Sequence, residues 1–506
     1  MNLLSYIRLR TSETDRRRLD GNLHFDYRSP IESDYGRLVF SSAFRRLHDK
    51  TQVFPLTEND NIHSRLTHSM EVASVGKSFA VDMLKNQKIK DSLKNDLDDT
   101  DLWRSLTALI EVICLAHDIG NPPLGHFGET AIKCYFTSLF KQVKEDLDNH
   151  LDIKKCSNPI IVSELKKCKT DEDRENLRNN LLSFVNGENK IQLDYTQFDG
   201  NAEGFRVLTK LQFLNDLYGL NLTSATLASI LKYPNIGKKN KEILRLHKHG
   251  VFVTEATEMK TVMENCGVSK VDDDSYYRHP LSYLMEAADT ICYSLMDLED
   301  AVSKGWVSYH DIVQLLINTE GGKNVSDEAG SHFVENDPSK KKVVQLRTEL
   351  MSYLVKDAFD VFSKNYDDIL SGSYNKELLE DNKVCAAINK HNKRRIFTHK
   401  EIENLELTGN QIITGLLDYY VRYLFNEEES IRMHCKHIIS KAVFMTTLQE
   451  HENFFGTKRK AWNIYDDFDP KDLGYEEKFR IIRDHVACMT DKYALEQYRR
   501  LSGQRI

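Results

Sequence analysis

Apolar residues recur at three- and four-residue intervals along most of the chain, and few segments alternate apolar and polar residues as half-buried strands do. Only 9 of the 506 residues are proline and 23 are glycine, so few positions interrupt such helices. A chain of this length can bury a substantial core, as one large helical body or as two or three domains. The pattern predicts a predominantly all-α protein with at most one small β-hairpin, which we place near 251–257.

We predict three regions along the chain. Residues 1–33 form a polar N-terminal lead-in, residues 34–310 a core, and residues 311–506 a helical C-terminal region that packs on the core. A charged segment near 141–190 is expected to be a surface insertion of helices and loops. The polar, glycine-interrupted stretch at 320–342 is expected to be a mobile loop.

Bulk composition argues against several classes of protein. No run approaches the roughly 18 to 20 apolar residues that a bilayer span requires, and no signal peptide is evident, so we predict a cytoplasmic protein with no membrane partner. The nine cysteines include no C-x-x-C pair, which favours reduced, mostly buried thiols over a zinc knuckle or a redox motif. The net charge of −8 argues against a surface that coats nucleic acid indiscriminately, although a local basic groove is compatible with it.

One stretch of thirteen residues, 117–129 (HDIGNPPLGHFGE), concentrates side chains that can bind a metal ion and transfer a proton. Adjacent His117 and Asp118 offer one nitrogen and one hard oxygen to the same divalent ion. That mixture suits Mn, Fe, Co or Mg better than a structural zinc. The dipeptide alone does not identify the site, because it also occurs at 48–49 and 310–311.

Local patterns place these ligands on helices. Residues 103–118 indicate a buried helix that ends at the following Gly-Asn-Pro-Pro segment. His117 and Asp118 would then lie at its C-terminal end, where the helix dipole favours a cation. Thr67 can cap a second helix, which places His68 in a first helical turn and presents it as a firmly held ligand.

Asp289 is the candidate for a fourth ligand. Small and apolar neighbours surround it in the segment 286–293 (EAADTICY), which indicates a buried carboxylate. A metal ion would offset the cost of burying that charge; a salt-bridged or helix-terminal aspartate is the alternative. Tyr293 and Asp297 follow at four-residue intervals, so the three side chains share one helical face that can line a pocket, with a solvated stripe as the alternative.

His126 and Glu129 are candidates for an acid/base pair. They lie three residues apart and are expected to open a helix after Gly125, which places both side chains on one side. Imidazole can protonate a leaving oxygen, and a neighbouring carboxylate can orient the ring and keep it charged. The alternative is a structural histidine at a helix start with a capping glutamate.

Several cations lie near these residues in sequence, as a polyphosphate ligand would require. They are Arg45, Arg46, Lys50, His63 and Arg65.

With these residues assembled, the chain resembles the bacterial dGTP triphosphohydrolases, dNTP-hydrolysing members of the HD metal-dependent phosphohydrolase superfamily. The resemblance covers nearly the whole chain and is carried by ordered blocks. These blocks are YRSP (27–30), ESDYGR (32–37), RRLHDKTQVFPL (45–56), RLTHSMEV (65–72), the stretch 117–129, FDGNAEGFR (198–206), LTSATLASILKYP (222–234), AADTI (287–291) and MTDKYA (489–494). The match selects the His-Asp pair at 117–118 over the copies at 48–49 and 310–311, and it makes 34–310 an HD-type core.

The resemblance implies a role for each candidate. The metal ligands would be His68, His117, Asp118 and Asp289, and the divalent ion would be Mn or Mg, with Fe and Co as further options. The catalytic pair would be His126 and Glu129. The implied reaction is hydrolysis of a deoxynucleoside triphosphate, dGTP above all, at the α-phosphate, which releases a deoxynucleoside and tripolyphosphate.

The resemblance also implies contacts with the substrate. Gln52 and Asp297 match partners of the sugar 3′-hydroxyl, and Tyr293 matches a ring that packs against deoxyribose and can exclude a 2′-hydroxyl. Phosphate contacts are implied for Arg46, Lys232, Tyr233 and Arg206, where basic residues on a solvated face are the alternative. His63 departs from the family pattern, because relatives often carry arginine at this position.

Two other functions are compatible with the sequence. One is a broad-specificity dNTP triphosphohydrolase with a nucleotide effector site, because the residues that select the base do not align. The other is an HD-fold regulator that binds single-stranded nucleic acid, since some relatives respond to single-stranded DNA. The resemblance further implies a homo-oligomer, with a hexamer as the expected assembly.

Overall fold

In a computed structural model, the chain is described over residues 1–9, 28–54, 62–94, 97–150, 152–212, 219–331, 339–450 and 465–504. Helices dominate this part of the chain and its strands form one two-stranded antiparallel sheet, which confirms the all-α prediction. The helices before the sheet are α1 (Pro30–Val39), α2 (Ser42–Arg46), α3 (Arg65–Lys85), α4 (Gln87–Leu93), α5 (Asp99–Ala116), α6 (His126–Asn149), α7 (Pro159–Leu165), α8 (Asp171–Val185), α9 (Leu193–Thr196), α10 (Gly200–Arg206), α11 (Ser224–Ile230) and α12 (Ala256–Asn265).

The sheet and the remaining helices complete the described chain. The strands are β1 (Lys270–Asp272) and β2 (Ser275–Tyr276). The helices after them are α13 (Pro280–Ser303), α14 (Tyr309–Ile317), α15 (Gly322–Ser331), α16 (Ser339–Lys364), α17 (Tyr366–Ser371), α18 (Lys383–Arg395), α19 (Lys400–Leu424), α20 (Glu429–Ile438), α21 (Lys441–Glu450), α22 (Tyr475–Ala487) and α23 (Asp491–Leu501).

The hairpin is present, but its predicted place at 251–257 is wrong. Val253–Glu255 form a 3₁₀ turn that leads directly into α12, and the two strands follow that helix. The apolar residue that suggested a strand, Phe252, is instead buried in this turn. Its ring centroid lies 5.9 Å from that of Phe198 and 4.0 Å from the guanidinium carbon of Arg483. An apolar residue in a buried turn produces the same local signal as one in a strand.

Three long helices, α3, α5 and α13, pack against one another. α3 carries His68, α13 carries Asp289, and His117 and Asp118 directly follow the end of α5. α5 spans Asp99–Ala116, so it starts four residues before the predicted 103–118 helix and ends two residues short of it, with His117 as its C-cap. α3 is capped by Ser64, whose hydroxyl accepts from the Thr67 backbone, so the prediction that Thr67 is the cap is wrong. Thr67 instead completes the capping box from inside the helix, and His68 lies in the first turn as expected.

The C-terminal helices pack against the element that begins at His126. α19 runs along α6, and it also contacts α22 and α23. The charged segment near 141–190 comprises the end of α6 together with α7 and α8. This segment is anchored to the body, because Phe184 is buried among the rings of Phe140, Tyr195 and Phe479.

The stretch at 320–342 is largely helical, so the loop prediction is wrong for Gly322–Ser331, which form α15. Val325 and Ala329 lie four residues apart and bury one face of this helix, and α15 packs against α14 and α16. The part of the prediction that falls on 332–338 lies outside the described residues.

None of the described helices combines the length and the apolar composition that a bilayer span requires. All nine cysteines are free thiols. Six of them are buried, which agrees with the predicted reduced, mostly buried thiols; Cys134 is exposed, and Cys168 and Cys488 are half-buried.

Candidate active site

Four predicted metal ligands from three helices meet at one place. His68 Nε2 lies 3.1 Å from Oδ1 of Asp289, and His117 Nε2 lies 3.4 Å from the same oxygen. His117 Nε2 also lies 3.6 Å from Oδ1 of Asp118. Ligand atoms of His68, His117 and Asp118 all fall within 4.8 Å of one another, a spacing that one ion can bridge.

The imidazole of His117 is oriented for metal binding. Its Nδ1 lies 2.7 Å from the Cys114 carbonyl, a contact that requires an Nδ1–H, so in the neutral imidazole Nε2 carries the lone pair. Nε2 is buried and has no hydrogen-bond partner among the described residues. A buried nitrogen lone pair flanked by carboxylates fits a divalent cation.

Cations hold the two carboxylates of this cluster in their charged form. Arg65 Nη1 donates to Oδ2 of Asp118 at 2.5 Å, and Lys232 Nζ donates to Oδ2 of Asp289 at 2.6 Å. Burial alone would raise the pKa of both carboxyls, but Arg65 lowers the pKa of Asp118 and Lys232 lowers that of Asp289 well below the usual range. Each carboxylate keeps one oxygen directed to the imidazoles.

The predicted acid/base pair lies at the start of α6. Gly125 is the N-cap with a φ of +58°, a conformation that side-chain-bearing residues rarely adopt, and it turns the chain so that His126 is the first helical residue. His126 Nδ1 lies 3.5 Å from Oε2 of Glu129. The His126 side chain is 79% exposed, whereas that of Glu129 is 6% exposed. A solvent-facing imidazole backed by a buried carboxylate is suited to proton transfer with a bound ligand.

Glu129 is ionised and held firmly. Its Oε1 accepts a 2.8 Å hydrogen bond from the backbone N–H of Gly200. Burial would raise the pKa of Glu129, but the hydrogen bond from His126 and the charge of Lys248 lower it to about 2. The carboxylate is therefore charged at neutral pH and can support a positive charge on His126.

The acid/base pair and the metal-ligand cluster are joined at Gly200. Asn121 donates from Nδ2 to Oδ1 of Asp118 at 2.5 Å, and its own Oδ1 lies against Gly200. A Cβ at Gly200 would overlap both Asn121 Oδ1 and Glu129 Oε1, so only glycine allows this approach. Asp118, Asn121, Gly200 and Glu129 thus form a continuous series of contacts from one part of the site to the other.

His63 links the segment that carries Gln52 to the helix that carries Asp297. The Gln52 backbone N–H donates to the His63 carbonyl at 3.5 Å, and His63 Nδ1 lies 2.9 Å from Oδ1 of Asp300 on α13. His63 Nε2 lies 3.2 Å from Glu71 on α3. Hydrogen bonds to both carboxylates outweigh burial and raise the pKa of His63 to about 10.

Gln52 and Asp297 both have features that suit a polar ligand. Gln52 Oε1 is buried and has no hydrogen-bond partner within the described part of the chain. Asp297 is 3% exposed, and burial together with the Asp300 carboxylate raises its pKa well above the usual value. A buried acceptor and a protonated carboxyl are complementary to a hydroxyl group.

The remaining predicted contacts of α13 and of the segment after α11 lie beside the cluster. Tyr293 is half-buried one turn beyond Asp289. Lys232 contacts Asp289 directly, and the half-buried Tyr233 follows it in the chain, with its ring centroid 6.4 Å from that of His247. Burial, with the nearby Glu286, raises the pKa of the Tyr233 hydroxyl to about 12, so it is a neutral hydrogen-bond donor.

No protein-family model matches the chain. Curated relatives do match it. The deoxyguanosinetriphosphate triphosphohydrolases of Yersinia pestis (strain Pestoides F) and Yersinia enterocolitica are each 32% identical to it, with 93% of each chain covered. The enzyme of the same name from Cronobacter sakazakii is 31% identical over 95% of this chain and 97% of its own.

The chain belongs to the deoxyguanosinetriphosphate triphosphohydrolase family. Two phosphate contacts implied by resemblance to that family lie apart from the cluster. Arg46 donates to the Ser42 hydroxyl at 3.3 Å and lines a separate cavity of about 490 Å³ beside His485. Arg206 is fully buried and donates to Asp484 and Glu255 at 2.7 and 2.6 Å, so a phosphate would have to displace both ion pairs to reach it.

The sequence analysis assigned no role to two residues that border the site, Asn121 and Lys248. Asn121 orients Asp118, and its position three residues after that aspartate was the available signal. Lys248 lies 3.2 Å from Oδ2 of Asp199 and favours the charged form of Glu129. No local pattern indicated Lys248, because its approach depends on how distant segments pack.

Proposed function

We propose that this protein is a metal-dependent dGTP triphosphohydrolase, which hydrolyses dGTP at the α-phosphate to deoxyguanosine and tripolyphosphate. The observation that carries the proposal is the convergence of His68, His117, Asp118 and Asp289 from three separate helices. Membership of the deoxyguanosinetriphosphate triphosphohydrolase family supports the choice of substrate.

We propose that these four side chains hold one divalent ion of the HD-type site. Two imidazole nitrogens and two carboxylates form a donor set of intermediate hardness, which suits Mn or Mg, with Fe and Co as further options. A bound ion would polarise the α-phosphate and lower the pKa of water near it. His117 supports this assignment, because its buried Nε2 has no hydrogen-bond partner among the described residues and faces the two carboxylates.

We propose that His126 donates a proton to the 5′ oxygen as its bond to the α-phosphorus breaks. Water supplies the oxygen that joins the phosphorus, so the tripolyphosphate departs intact and the deoxynucleoside keeps its own 5′ oxygen. Glu129 orients the imidazole and stabilises its charged form. The exposure of His126 and the burial of Glu129 are consistent with these roles.

We propose that the same pocket recognises the sugar and the phosphates. Gln52 and Asp297 would hydrogen-bond the 3′-hydroxyl, and Tyr293 would pack against the 2′ carbon. Lys232 and Tyr233 would contact the phosphates beside Asp289. Arg46 faces another cavity, so its proposed phosphate contact requires a different side-chain direction.

The test is product analysis with a matched histidine control. The purified protein is incubated with Mn or Mg and each dNTP or GTP, and the products are separated by chromatography. His117→Ala should abolish turnover, whereas His310→Ala should not, although aspartate follows the histidine in both places. His310 is exposed, and Asp311 is part of the cap of α14.

The outcomes separate the lead function from its alternatives. Deoxyguanosine with tripolyphosphate supports the proposal, and equal use of all four dNTPs would favour a broad-specificity enzyme with a nucleotide effector. Pyrophosphate or inorganic phosphate as product would contradict the mechanism. No turnover with any metal would favour a regulator that binds single-stranded nucleic acid, for which affinity should fall steeply with salt.

We also propose that the chain forms a homo-oligomer, with a hexamer as the expected state. Large apolar side chains that are exposed in the single chain support an interface. They include Phe40, Met70, Trp103 and Leu407. Light scattering coupled to size-exclusion chromatography measures the mass, and a monomer at micromolar concentration would contradict this part of the proposal.

A further inference from the structure

The block 489–494 (MTDKYA) belongs to the family resemblance, but no role in the reaction has been assigned to it. Its aspartate, Asp491, is the first residue of α23 and is only 3% exposed. Its Oδ1 accepts a 2.8 Å hydrogen bond from the backbone N–H of Leu124. Its Oδ2 accepts from Thr51 twice, from the hydroxyl at 2.6 Å and from the backbone N–H at 3.1 Å. One carboxylate therefore joins three segments that are far apart in the sequence.

Two of these segments carry side chains of the proposed active site. Thr51 immediately precedes Gln52. Leu124 stands two residues before His126 and has a φ of +65°, which is strained for a residue with a side chain. The hydrogen bond from Asp491 to the Leu124 N–H helps to hold that conformation, and with it the turn at Gly125 that starts α6.

Lys50 makes a second connection between the same segments. Its ammonium group donates to the carbonyl of Asn121 and, at 3.3 Å, to the carbonyl of Ala487 at the end of α22. The side chain is buried, so water does not compete for these bonds. Lys50 thus holds the Asn121 end of the 121–124 loop, and Asp491 holds its Leu124 end.

We infer that Asp491 is a positioning residue for the proposed reaction, through which the C-terminal helices fix the loop that presents His126 relative to the segment that presents Gln52. The inference rests on the proposed function of those two side chains. Asp491 would act through Leu124 and Thr51 and would not touch the substrate itself. Small displacements of a catalytic group lower kcat by large factors, so a fixed distance between the two loops matters for turnover.

Replacing Asp491 by asparagine would remove at least one of the hydrogen bonds that the carboxylate accepts. The carboxylate receives donors at both oxygens, two of them backbone N–H groups on different segments. The amide of asparagine has one acceptor oxygen, so its NH₂ group would face either the Leu124 N–H or the Thr51 N–H. Asp491→Asn therefore releases one of the two loops while it changes side-chain volume little.

The test compares Asp491→Asn with Asp469→Asn. Asp469 is another largely buried aspartate of the C-terminal region, and it accepts from Arg432 at 2.9 and 2.7 Å. Within the described part of the chain it makes no hydrogen bond to the 50–51 or 121–124 segments. The readouts are kcat, the affinity for Mn²⁺ by calorimetry, and the preference for dGTP over 2′,3′-dideoxyGTP. A second pair, Thr51→Val and Thr51→Ser, removes or keeps the hydroxyl that donates to Asp491.

We expect Asp491→Asn to lower kcat by about tenfold to a hundredfold and to weaken the preference for the 3′-hydroxyl, with Mn²⁺ affinity close to that of the wild type. Thr51→Val should lower kcat and the 3′-hydroxyl preference by a smaller factor. Thr51→Ser, which keeps the hydroxyl, should retain wild-type kcat, and Asp469→Asn should keep the wild-type preference for dGTP over 2′,3′-dideoxyGTP. If Asp491→Asn does not fold, the comparison of kcat between Thr51→Val and Thr51→Ser tests the inference.

Equal kcat values for Asp491→Asn and Asp469→Asn would overturn the inference. So would parallel losses of Mn²⁺ affinity and kcat in Asp491→Asn, or Thr51→Val with wild-type kinetics. A wild-type protein that forms no tripolyphosphate would overturn the proposed function, and the inference with it, before any variant is compared. The two failures are therefore distinguishable.

Discussion

Lys232 donates a 2.6 Å hydrogen bond from its Nζ to Oδ2 of Asp289, the carboxylate whose other oxygen lies close to both imidazoles of the cluster. The pair joins a residue expected to contact phosphate to a residue expected to bind metal. It would place the proposed phosphate-binding side of the pocket directly against the proposed metal-ligand cluster. A cation at this place both keeps Asp289 ionised and attracts a polyphosphate.

Replacing Lys232 by glutamine should raise KM for dGTP by about tenfold or more, because a charge-assisted hydrogen bond to phosphate is lost. Steady-state kinetics at saturating Mn²⁺ measure the change. Lys238→Gln is the matched control, since Lys238 lies on the same segment and pairs with Asp272 on β1. An unchanged KM in Lys232→Gln would argue against a phosphate contact.

Replacing Glu129 by glutamine should lower kcat by about a hundredfold, because the charge that supports a protonated His126 is removed. Glu145→Gln, an exposed position on the same helix, should leave kcat unaltered. A glutamine variant with wild-type turnover would exclude Glu129 from the catalytic pair.

The acid stability of the same variant provides an independent check. The pKa of Glu129 is lowered from an ordinary value of 4.5 to about 2 in the folded protein, so its ionised form stabilises the fold above pH 4.5, and this contribution is lost as the pH falls through about 2. The difference in free energy of unfolding between the wild type and Glu129→Gln should therefore shrink between pH 4.5 and 2. Chemical denaturation at several pH values measures it, and a constant difference would contradict the assigned shift.

His63 should stabilise the fold in the opposite pH window. Its pKa is raised from 6.5 to about 10 by Asp300 and Glu71, so the stabilisation is fully present below pH 6.5 and is lost as the pH rises through about 10. His63→Asn should unfold at a lower temperature than the wild type at pH 6.5, and the gap should narrow towards pH 10.5. The exposed His310→Asn serves as control, and a gap for His63→Asn that is independent of pH would contradict the prediction.

Tyr293 should control the choice between deoxyribose and ribose. Tyr293→Ala removes the ring that is expected to pack against the sugar, and it should raise the ratio of GTP to dGTP hydrolysis by about tenfold. Tyr293→Phe keeps the ring and should retain the preference for dGTP. Competition between GTP and dGTP in one reaction measures the ratio. If Tyr293→Ala keeps the wild-type preference for dGTP, other residues must discriminate deoxyribose from ribose.

Much of the candidate site could be predicted from the spacing of residues along the sequence. Adjacent His117 and Asp118 at the end of a helix, and His126 and Glu129 at the start of the next, are set by helical spacing and by the capping glycine, so both pairs lie where the sequence places them. Asp289 stood out because small and apolar neighbours predicted its burial. The three wrong predictions, the Thr67 cap, the 251–257 hairpin and the loop over Gly322–Ser331, concern local patterns that fit more than one structure.

Tertiary packing decided the remainder. The sequence by itself determined the helical class, the family and the spacing of side chains within each helix, because these depend on periodicity and on short-range contacts. Only the packing of α3 against α13 brought His68 to Asp289. Other tertiary contacts turned Arg46 towards a separate cavity and placed Asp491 between Thr51 and Leu124. Such contacts join residues up to several hundred positions apart, and they depend on how whole helical faces fit together, which no local pattern specifies.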